Sequence, residues 1–535
     1  MKIGLYHGYE LNGSGSNEYT RYLARTLAHA GHEVHIICRE MNPASIPFIT
    51  LARAWKEDGS SSLLFQRHVQ TPECTLHQLP YGEIYPVYLT DKQRKGNVKS
   101  FVALTDDELK SYHQVNEYLL TKILTTVRLE VLHANHLVYQ PVAALSACQV
   151  TNTALVIYPH GSSIEYTIKL DDRYKRLALK GLLGCNGLIT GNREVQDRIL
   201  KLYPDDRDAI LAKSRIVGVG VDTALFKPVA RAQRKTSIAQ LQAMGGNGGK
   251  TPELSEELRT RLHGGEVEVT REYHNRYDHS LPDADLNEHL DRIPWDKNIL
   301  LFVGALTVGK GLQSVITALP GVLRELPDTH LLIVGSGAYR EVLEALVYAI
   351  STSNRDLLLR LCSRGQDLDR NELTGPWEDV QAYLDEPANL ALVLEHGKNL
   401  DGHVHFLGRL DHSRLCHLFP CADLAVFPSV VPEAYPLVLM ESLSNGVLPV
   451  VSYFSGFKDG VDELTPFLGE SLTEKMKLPV DPEVRIKNMA RNLAGLLMDK
   501  KLKSLGPQLR RIATDNYDWN LRAAQMVEAY RSFIA

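Results

Sequence analysis

The chain is short of cysteine, and what it has is unpatterned. Cys38, Cys74, Cys148, Cys185, Cys362, Cys416 and Cys421 include no C-x-x-C pair. An odd, scattered set argues for reduced thiols and against a disulfide frame or a zinc site. No apolar run approaches the roughly 20 residues needed to span a bilayer. The opening MKIGLYHGYE enters a strand pattern at once, without the apolar core and small-residue cleavage site of a signal peptide. The expectation is a cytoplasmic protein. A strong charge of one sign is also missing: the formal net charge is −5. A general nucleic-acid binder carries a strongly basic domain, so no nucleic-acid partner is expected. No repeat recurs at the 20–50 residue periods of solenoids.

What is present is length and a βαβ rhythm. Single cores stop growing near roughly 250–300 residues, so 535 residues imply two domains. KIGLYH reads as a strand, LNGSGSN as a turn, EYTRYLARTLAHAG as a helix closed by Gly31, and EVHIIC as the next strand. Further strands are EVLHAN, ALVIYPH, GLITGN and RIVGVGV. Residues 1–228 therefore form an α/β domain with a doubly wound parallel sheet. Residues 229–295 lose the strand period and read as a polar insertion or linker. A second α/β domain spans 296–515, with strands NILLFVG, HLLIVGSG, VHFLGRL, LAVFPS and LPVVSY and a helical insertion at 347–400. A last helix lies within 516–535. Ligands of such sheets bind at the carboxyl ends of the strands, so a cleft between the domains is the expected active site.

Two segments carry chemistry. In FVGALTVGKGL, Gly304, Gly309 and Lys310 match G-x-x-x-x-G-K between a strand and a helix. Backbone N–H groups of such a turn approach phosphate, and Lys310 adds a point charge. Gly311 stands where a P-loop NTPase needs Ser or Thr, which disfavours that class. The plainer alternative is an ordinary βα turn with a surface lysine. In FPSVVPEAYPLVLMES, Glu433 and Glu441 are eight residues apart, a little over two helical turns. Carboxylates accept hydrogen bonds from sugar hydroxyls. By spacing alone, a helix-terminal anion and a solvated glutamate explain the pair more simply.

The surroundings decide between these readings. FPS, then Glu433, seven residues, Glu441, and a Gly-containing turn at Ser455-Gly456-Phe457 resemble the retaining glycosyltransferases of family 4 (glycosyl transferases group 1). GSGSNEY…LARTLAHAGHEV, PHGSS at 159–163, VGVGVDTALFKP at 217–228, LLIVGSG, HFLGRL, ADLAVFPS and DWNLRAAQMVEAYR resemble successive family segments in order. The resemblance implies a GT-B fold, with two Rossmann-like doubly wound domains facing across a cleft and the terminal helix crossing back to the first. It implies a hexosyltransferase that moves sugar from a UDP- or GDP-sugar to an acceptor hydroxyl, with retention and without metal or cofactor. It implies Glu433 on the transferred sugar, Glu441 on the donor ribose and Lys310 on the diphosphate. Backbone groups near Gly15, Ser16, Gly456, Phe457 and Lys458 would line the donor site, and His160 would lie near the anomeric carbon.

The chain departs from the family at Ala305, where an arginine usually accompanies the lysine. Arg409 in HFLGRL is a candidate replacement, or a surface loop arginine. A sugar-nucleotide epimerase of the same fold and a non-catalytic nucleotide-sugar binder are the alternatives. His133, Asn135 and His136 end a strand, where they can meet an acceptor or form a packed pair. Arg193 after GLITGN can bind an anionic acceptor or make a structural salt bridge. The acceptor itself, whether small molecule, lipid-linked or polysaccharide, is not encoded legibly. The basic run Lys92, Arg94, Lys95 and Lys99 suits a peripheral membrane contact, or a solvated loop. His263, His274, His279 and His289 match no zinc spacing, so no metal is expected there.

Overall fold

A computed structural model describes residues 1–13, 15–68, 74–88, 98–369 and 374–534. The chain divides into two compact units. Unit 1 comprises Met1–Gly220, Ala434–Leu437 and Tyr517–Ala535; unit 2 comprises Val221–Glu433 and Val438–Asn516.

Unit 1 is built on a nine-stranded sheet. Its strands are β1 (Lys2–Tyr6), β2 (Glu33–Cys38), β3 (Leu51–Trp55), β4 (Ser61–Gln66) and β5 (Cys74–Gln78), then β8 (Val131–Asn135), β9 (Ala154–Tyr158), β10 (Gly187–Thr190) and β11 (Ser214–Ile216). Two short strands, β6 (Tyr85–Val87) and β7 (Val98–Ser100), pair with each other. The sheet order is β11-β10-β9-β8-β1-β2-β5-β3-β4, and only β3 and β4 pair antiparallel among the nine. Every residue of β8 (VLHAN) and β9 (ALVIY) is buried, because helices cover both faces of a parallel sheet. The helix Gly15–His29 follows β1 and buries a stripe that includes Tyr19, Tyr22, Leu23 and Leu27. The final helix, Trp519–Ile534, belongs to this unit and buries Trp519, Ala523, Met526 and Tyr530.

Unit 2 carries β12 (Asn298–Val303), β13 (Thr329–Val334), β14 (Val404–Phe406), β15 (Leu424–Phe427), β16 (Leu448–Ser452) and β17 (Lys477–Leu478). All pair in parallel, in the order β14-β13-β12-β15-β16-β17. In sequence rank this is 3-2-1-4-5-6, the doubly wound order with its switch point between β12 and β15.

Residues 229–295 hold helices at Arg234–Ala243, Pro252–His263, Thr270–Tyr273 and Leu286–Arg292, and they fall within unit 2. The segment is polar because each helix buries only a few side chains, such as Leu258 with Leu262 and Leu286 with Leu290. Charge fixes it further. Lys250 Nζ donates to Glu341 at 3.2 Å and to Glu344 at 2.8 Å, and Arg340 makes a two-pronged pair with Asp283 at 2.7 and 2.5 Å. Residues 347–400 add the helices Arg355–Ser363, Glu378–Leu384 and Pro387–His396. Among the described residues no helix is long and apolar enough to cross a membrane.

Candidate functional site

The turn after β12 is shaped by glycine and by a buried carboxylate. Val308–Lys310 form one 3-10 turn, Gly311 takes φ 73°, and the helix Leu312–Glu325 begins. A Cβ on Gly311 would stand 1.9 Å from the Pro428 carbonyl oxygen, so only glycine fits. Asp369 accepts from the Val308 amide at 2.9 Å, and Val430 N–H donates to the Gly309 carbonyl at 2.8 Å. These contacts hold the turn after β12 against the turn after β15.

Lys310 Nζ donates to Glu433 Oε1 at 2.5 Å, and Ser429 Oγ donates to the same oxygen at 2.7 Å. The Glu433 carbonyl accepts from Gly456 N–H at 3.0 Å and from Ser455 Oγ at 2.7 Å, at the start of the helix Ser455–Leu468. The two chemical residues thus sit in loops at the carboxyl ends of β12 and β15, the two sides of the switch point. Side-chain exposure is 31% for Lys310 and 18% for Glu433, enough for a ligand to reach them.

Glu441 is buried on the helix Leu437–Ser444, and His412 Nε2 lies 3.3 Å from its Oε1. The His412 ring meets Phe226 edge-on. Phe457 is buried and stacks on Phe427. The Lys458 amide closes onto the Phe454 carbonyl at 3.3 Å, while its ammonium pairs with Asp462 at 2.5 Å. Arg409 follows β14, two strands from β12, and is half-buried. Ala305 is exposed in the loop after β12.

Sequence reasoning missed the residues that brace this site. Arg485 is buried and donates to the carbonyls of Pro428 at 2.5 Å, Ser429 at 3.3 Å and Pro479 at 2.9 Å, and to Ser452 Oγ at 2.8 Å. It also lies 3.2 Å from Asp379. Arg485, Asp369 and His412 belong to no local motif. Their roles exist only once distant segments meet.

In unit 1 the predicted residues collect around another switch point, between β1 and β8. His160 follows β9 and its Nε2 lies 2.9 Å from Asn135 Oδ1; Asn135 Nδ2 donates to the Tyr6 carbonyl at 3.2 Å. His136 is buried against His160, His7, Tyr9 and Tyr88, and neither of its ring nitrogens has a hydrogen-bond partner among the described residues. His133 Nδ1 meets Tyr530 Oη at 2.8 Å. Burial drives His160 and His136 well below the ordinary histidine range, and neighbouring histidines add to it. Gly15 opens the helix Gly15–His29 in exposed space, and Ser16 is half-buried beside it. Arg193 is exposed at the start of the helix Arg193–Leu202 and makes no ion pair among the described residues.

Lys92, Arg94 and Lys95 of the basic run, and Ser14 of the glycine turn, lie outside the described residues. Lys99 pairs with Glu108. The rings of His274 and His279 lie 4.1 Å apart at a tilt of 43°, and His289 lies 3.2 Å from Asp285. Among the described residues no group of three His, Cys, Asp or Glu has metal-holding geometry.

Comparison with known proteins gives the family. The family model described as Glycosyltransferase Family 4 matches residues 13–225, and that described as Glycosyl transferases group 1 matches 288–359 and 391–503. A phosphatidyl-myo-inositol mannosyltransferase of Mycolicibacterium smegmatis is 24% identical over 254 residues, 47% of this chain and 49% of that protein. A sulfoquinovosyl transferase of Arabidopsis thaliana is 24% identical over 224 residues, 42% of this chain and 31% of that protein. The match thus spans half or less of the length of these curated relatives. Among solved structures, sucrose-phosphate synthase from Thermosynechococcus elongatus superposes with a TM-score of 0.56 at 17% identity, covering 99% of this chain and 98% of that one. An Anabaena protein, HepE, in complex with UDP-glucose gives 0.52 at 13% identity, covering 99% and 100%. Both family models fall on the two Rossmann-like units, and the chain belongs to the family 4 glycosyltransferases of GT-B fold.

Proposed function

We propose that the chain transfers a hexosyl unit from a UDP- or GDP-sugar to an acceptor hydroxyl, with retention at the anomeric carbon and without a metal ion. The observation that carries this reading is the Lys310–Glu433 pair at the β12/β15 switch point. A nucleoside diphosphate leaving its sugar develops charge on the β-phosphate. Lys310, next to the amino end of the helix Leu312–Glu325, is suited to stabilise that charge where it grows. A fixed ammonium in this role replaces a metal. Glu433 holds that ammonium; with donor bound, Lys310 turns to phosphate and Glu433 accepts from sugar hydroxyls. Glu441, steadied by His412, takes the ribose.

The curated relatives that match act as sugar transferases by name, and HepE binds UDP-glucose. These likenesses support a nucleotide-sugar donor. The leaving phosphate itself takes the acceptor proton on the same face, which gives retention.

The test is a panel of UDP- and GDP-hexoses, read first by thermal shift and then by turnover. Binding to the folded state alone raises stability by about 2.7 kcal/mol at a hundredfold ligand excess over Kd. NMR of the product decides the anomer. An inverted product would rule out the retaining step, and failure of every donor to bind or turn over would rule out the function.

A further inference from the structure

The turn that carries Lys310 does not cap itself. Thr307 stands at its amino end, where a side-chain oxygen ordinarily accepts from one of the first free amides, yet it makes no such bond. The Val308 N–H is one of those amides, and Val308 is buried, so the donor needs a partner. That partner lies 61 residues along the chain: Asp369 Oδ2 accepts from Val308 N–H at 2.9 Å, and Asp369 is itself buried. The Val308 carbonyl accepts on its other side from Gly311 N–H at 3.0 Å and from Gln313 Nε2 at 3.3 Å. Both backbone polar groups of Val308 are therefore fixed, two residues before Lys310.

One buried ring brings the two segments together. Tyr339, after β13, donates its N–H to the Leu306 carbonyl at 3.1 Å and its hydroxyl to the Gly365 carbonyl. Trp377 Nε1 donates to the same hydroxyl at 2.5 Å, and its indole lies against Gly365, where a Cβ would stand 2.3 Å from it. Asp369 closes its loop by donating its own N–H to the Gln366 carbonyl at 3.1 Å. Leu306 and Gly365 are thus tied to one residue, which registers Asp369 against Val308.

We propose that Asp369, carried by the helical insertion at 347–400, is a positioning residue that sets the Lys310 turn for the departing diphosphate. The diphosphate half rests on the glycosyltransferase reading; the clamp on Val308 does not. The sign of the charge separates positioning from binding. A carboxylate beside a phosphate site repels the anion, so Asp369 serves as a hydrogen-bond acceptor in spite of its charge. An amide of the same shape keeps the accepting oxygen and drops the repulsion. The insertion thus reaches the chemistry through the backbone of the turn, without touching the ligand.

The clamp is read by amide hydrogen exchange in the full chain labelled with ¹⁵N-valine, Val308 being assigned by its loss in Val308→Ile. The Val308 amide is expected to be protected in the wild type and in Asp369→Asn, and to exchange about tenfold faster in Asp369→Ala. A fast Val308 amide in the wild type, or equal protection in Asp369→Ala, overturns the proposal whatever the activity. Should Asp369→Ala not fold, Asp369→Asn decides: loss of either protection or turnover in that variant overturns the proposal, and keeping both upholds it.

UDP-glucose and GDP-mannose are the turnover probes. Asp369→Ala is expected to lower kcat about tenfold with KM within about twofold, while Asp369→Asn keeps kcat within about threefold. A double-mutant cycle with Lys310→Ala separates positioning from general stability. In the Lys310→Ala background, Asp369→Ala should cost no further turnover; a loss of about tenfold there would mark Asp369 as merely structural and overturn the positioning role. Absence of wild-type turnover with either donor, alongside the expected Val308 exchange, would remove the diphosphate half together with the functional reading and leave the clamp standing.

Discussion

The Lys310 ammonium and the Glu433 carboxylate lie 2.5 Å apart, one from each side of the switch point of a six-stranded parallel sheet. Partly exposed pairs of this kind add little to stability, roughly 0–1 kcal/mol. Their value is in what each releases to a ligand. Lys310→Ala should therefore lower donor turnover by roughly 10²–10³-fold while shifting the urea midpoint very little. No usual arginine stands at Ala305 to share the load. Nearly intact turnover in Lys310→Ala would falsify the phosphate role.

Glu433→Gln tests the partner. The amide oxygen still accepts from Ser429, and the Glu433 main-chain contacts to Gly456 and Ser455 are untouched. The turn should keep its shape. Expected are a normal thermal midpoint and a kcat reduced by about 10²-fold, since the charge that orients Lys310 and the sugar is gone. Steady-state kinetics beside a melting curve separates this from unfolding.

Arg485 gives the opposite pattern. Replacing it with Met strips the carbonyls of Pro428, Ser429 and Pro479 of a buried donor and leaves Asp379 without its cation. Removing one partner of a buried pair costs about 3–5 kcal/mol. Urea unfolding should show that loss, and whatever protein still folds should turn over poorly. Wild-type stability in Arg485→Met would mean that the brace carries no load.

The buried histidines set the pH response. Burial lowers His77 and His133 to about 3 from the ordinary 6.5. In the unfolded chain both take a proton as pH falls below about 6.5; in the folded chain they do not until about 3. The unfolded state thus binds more protons in that window, and stability falls with pH there, by up to about 1.4 kcal/mol per unit per histidine. Urea midpoints between pH 7 and 4 should drop, with a shallower slope in His77→Gln. A flat profile would contradict the neutral buried state.

Much of this was legible in the sequence, and the exceptions share one cause. The strands KIGLY, NILLFV and LAVF announce themselves because a parallel sheet buried on both faces needs continuous apolar runs. Lys310 and Glu433 were visible because each follows such a strand within a turn of fixed chemistry. Arg485 lies 52 residues beyond Glu433 in numbering, on the helix Pro482–Met498, and nothing local distinguishes it from a solvated helix arginine. The stretch 229–295 reads as a linker because its helices bury only two to four side chains each. The i,i+4 pairs Leu258–Leu262 and Leu286–Leu290 were the only signal.

Tyr530 and Trp519 give the amino-terminal unit an unusual timetable. Tyr530 meets His133 in that unit, and Trp519 packs on Tyr19 and Tyr22. A ribosome would expose residues 1–220 long before it delivers these two rings. The first sheet must therefore wait, with part of its core uncovered, until the second unit has been synthesised. A nascent chain arrested after residue 516 should hold unit 1 protease-sensitive, and release of the final helix should close it.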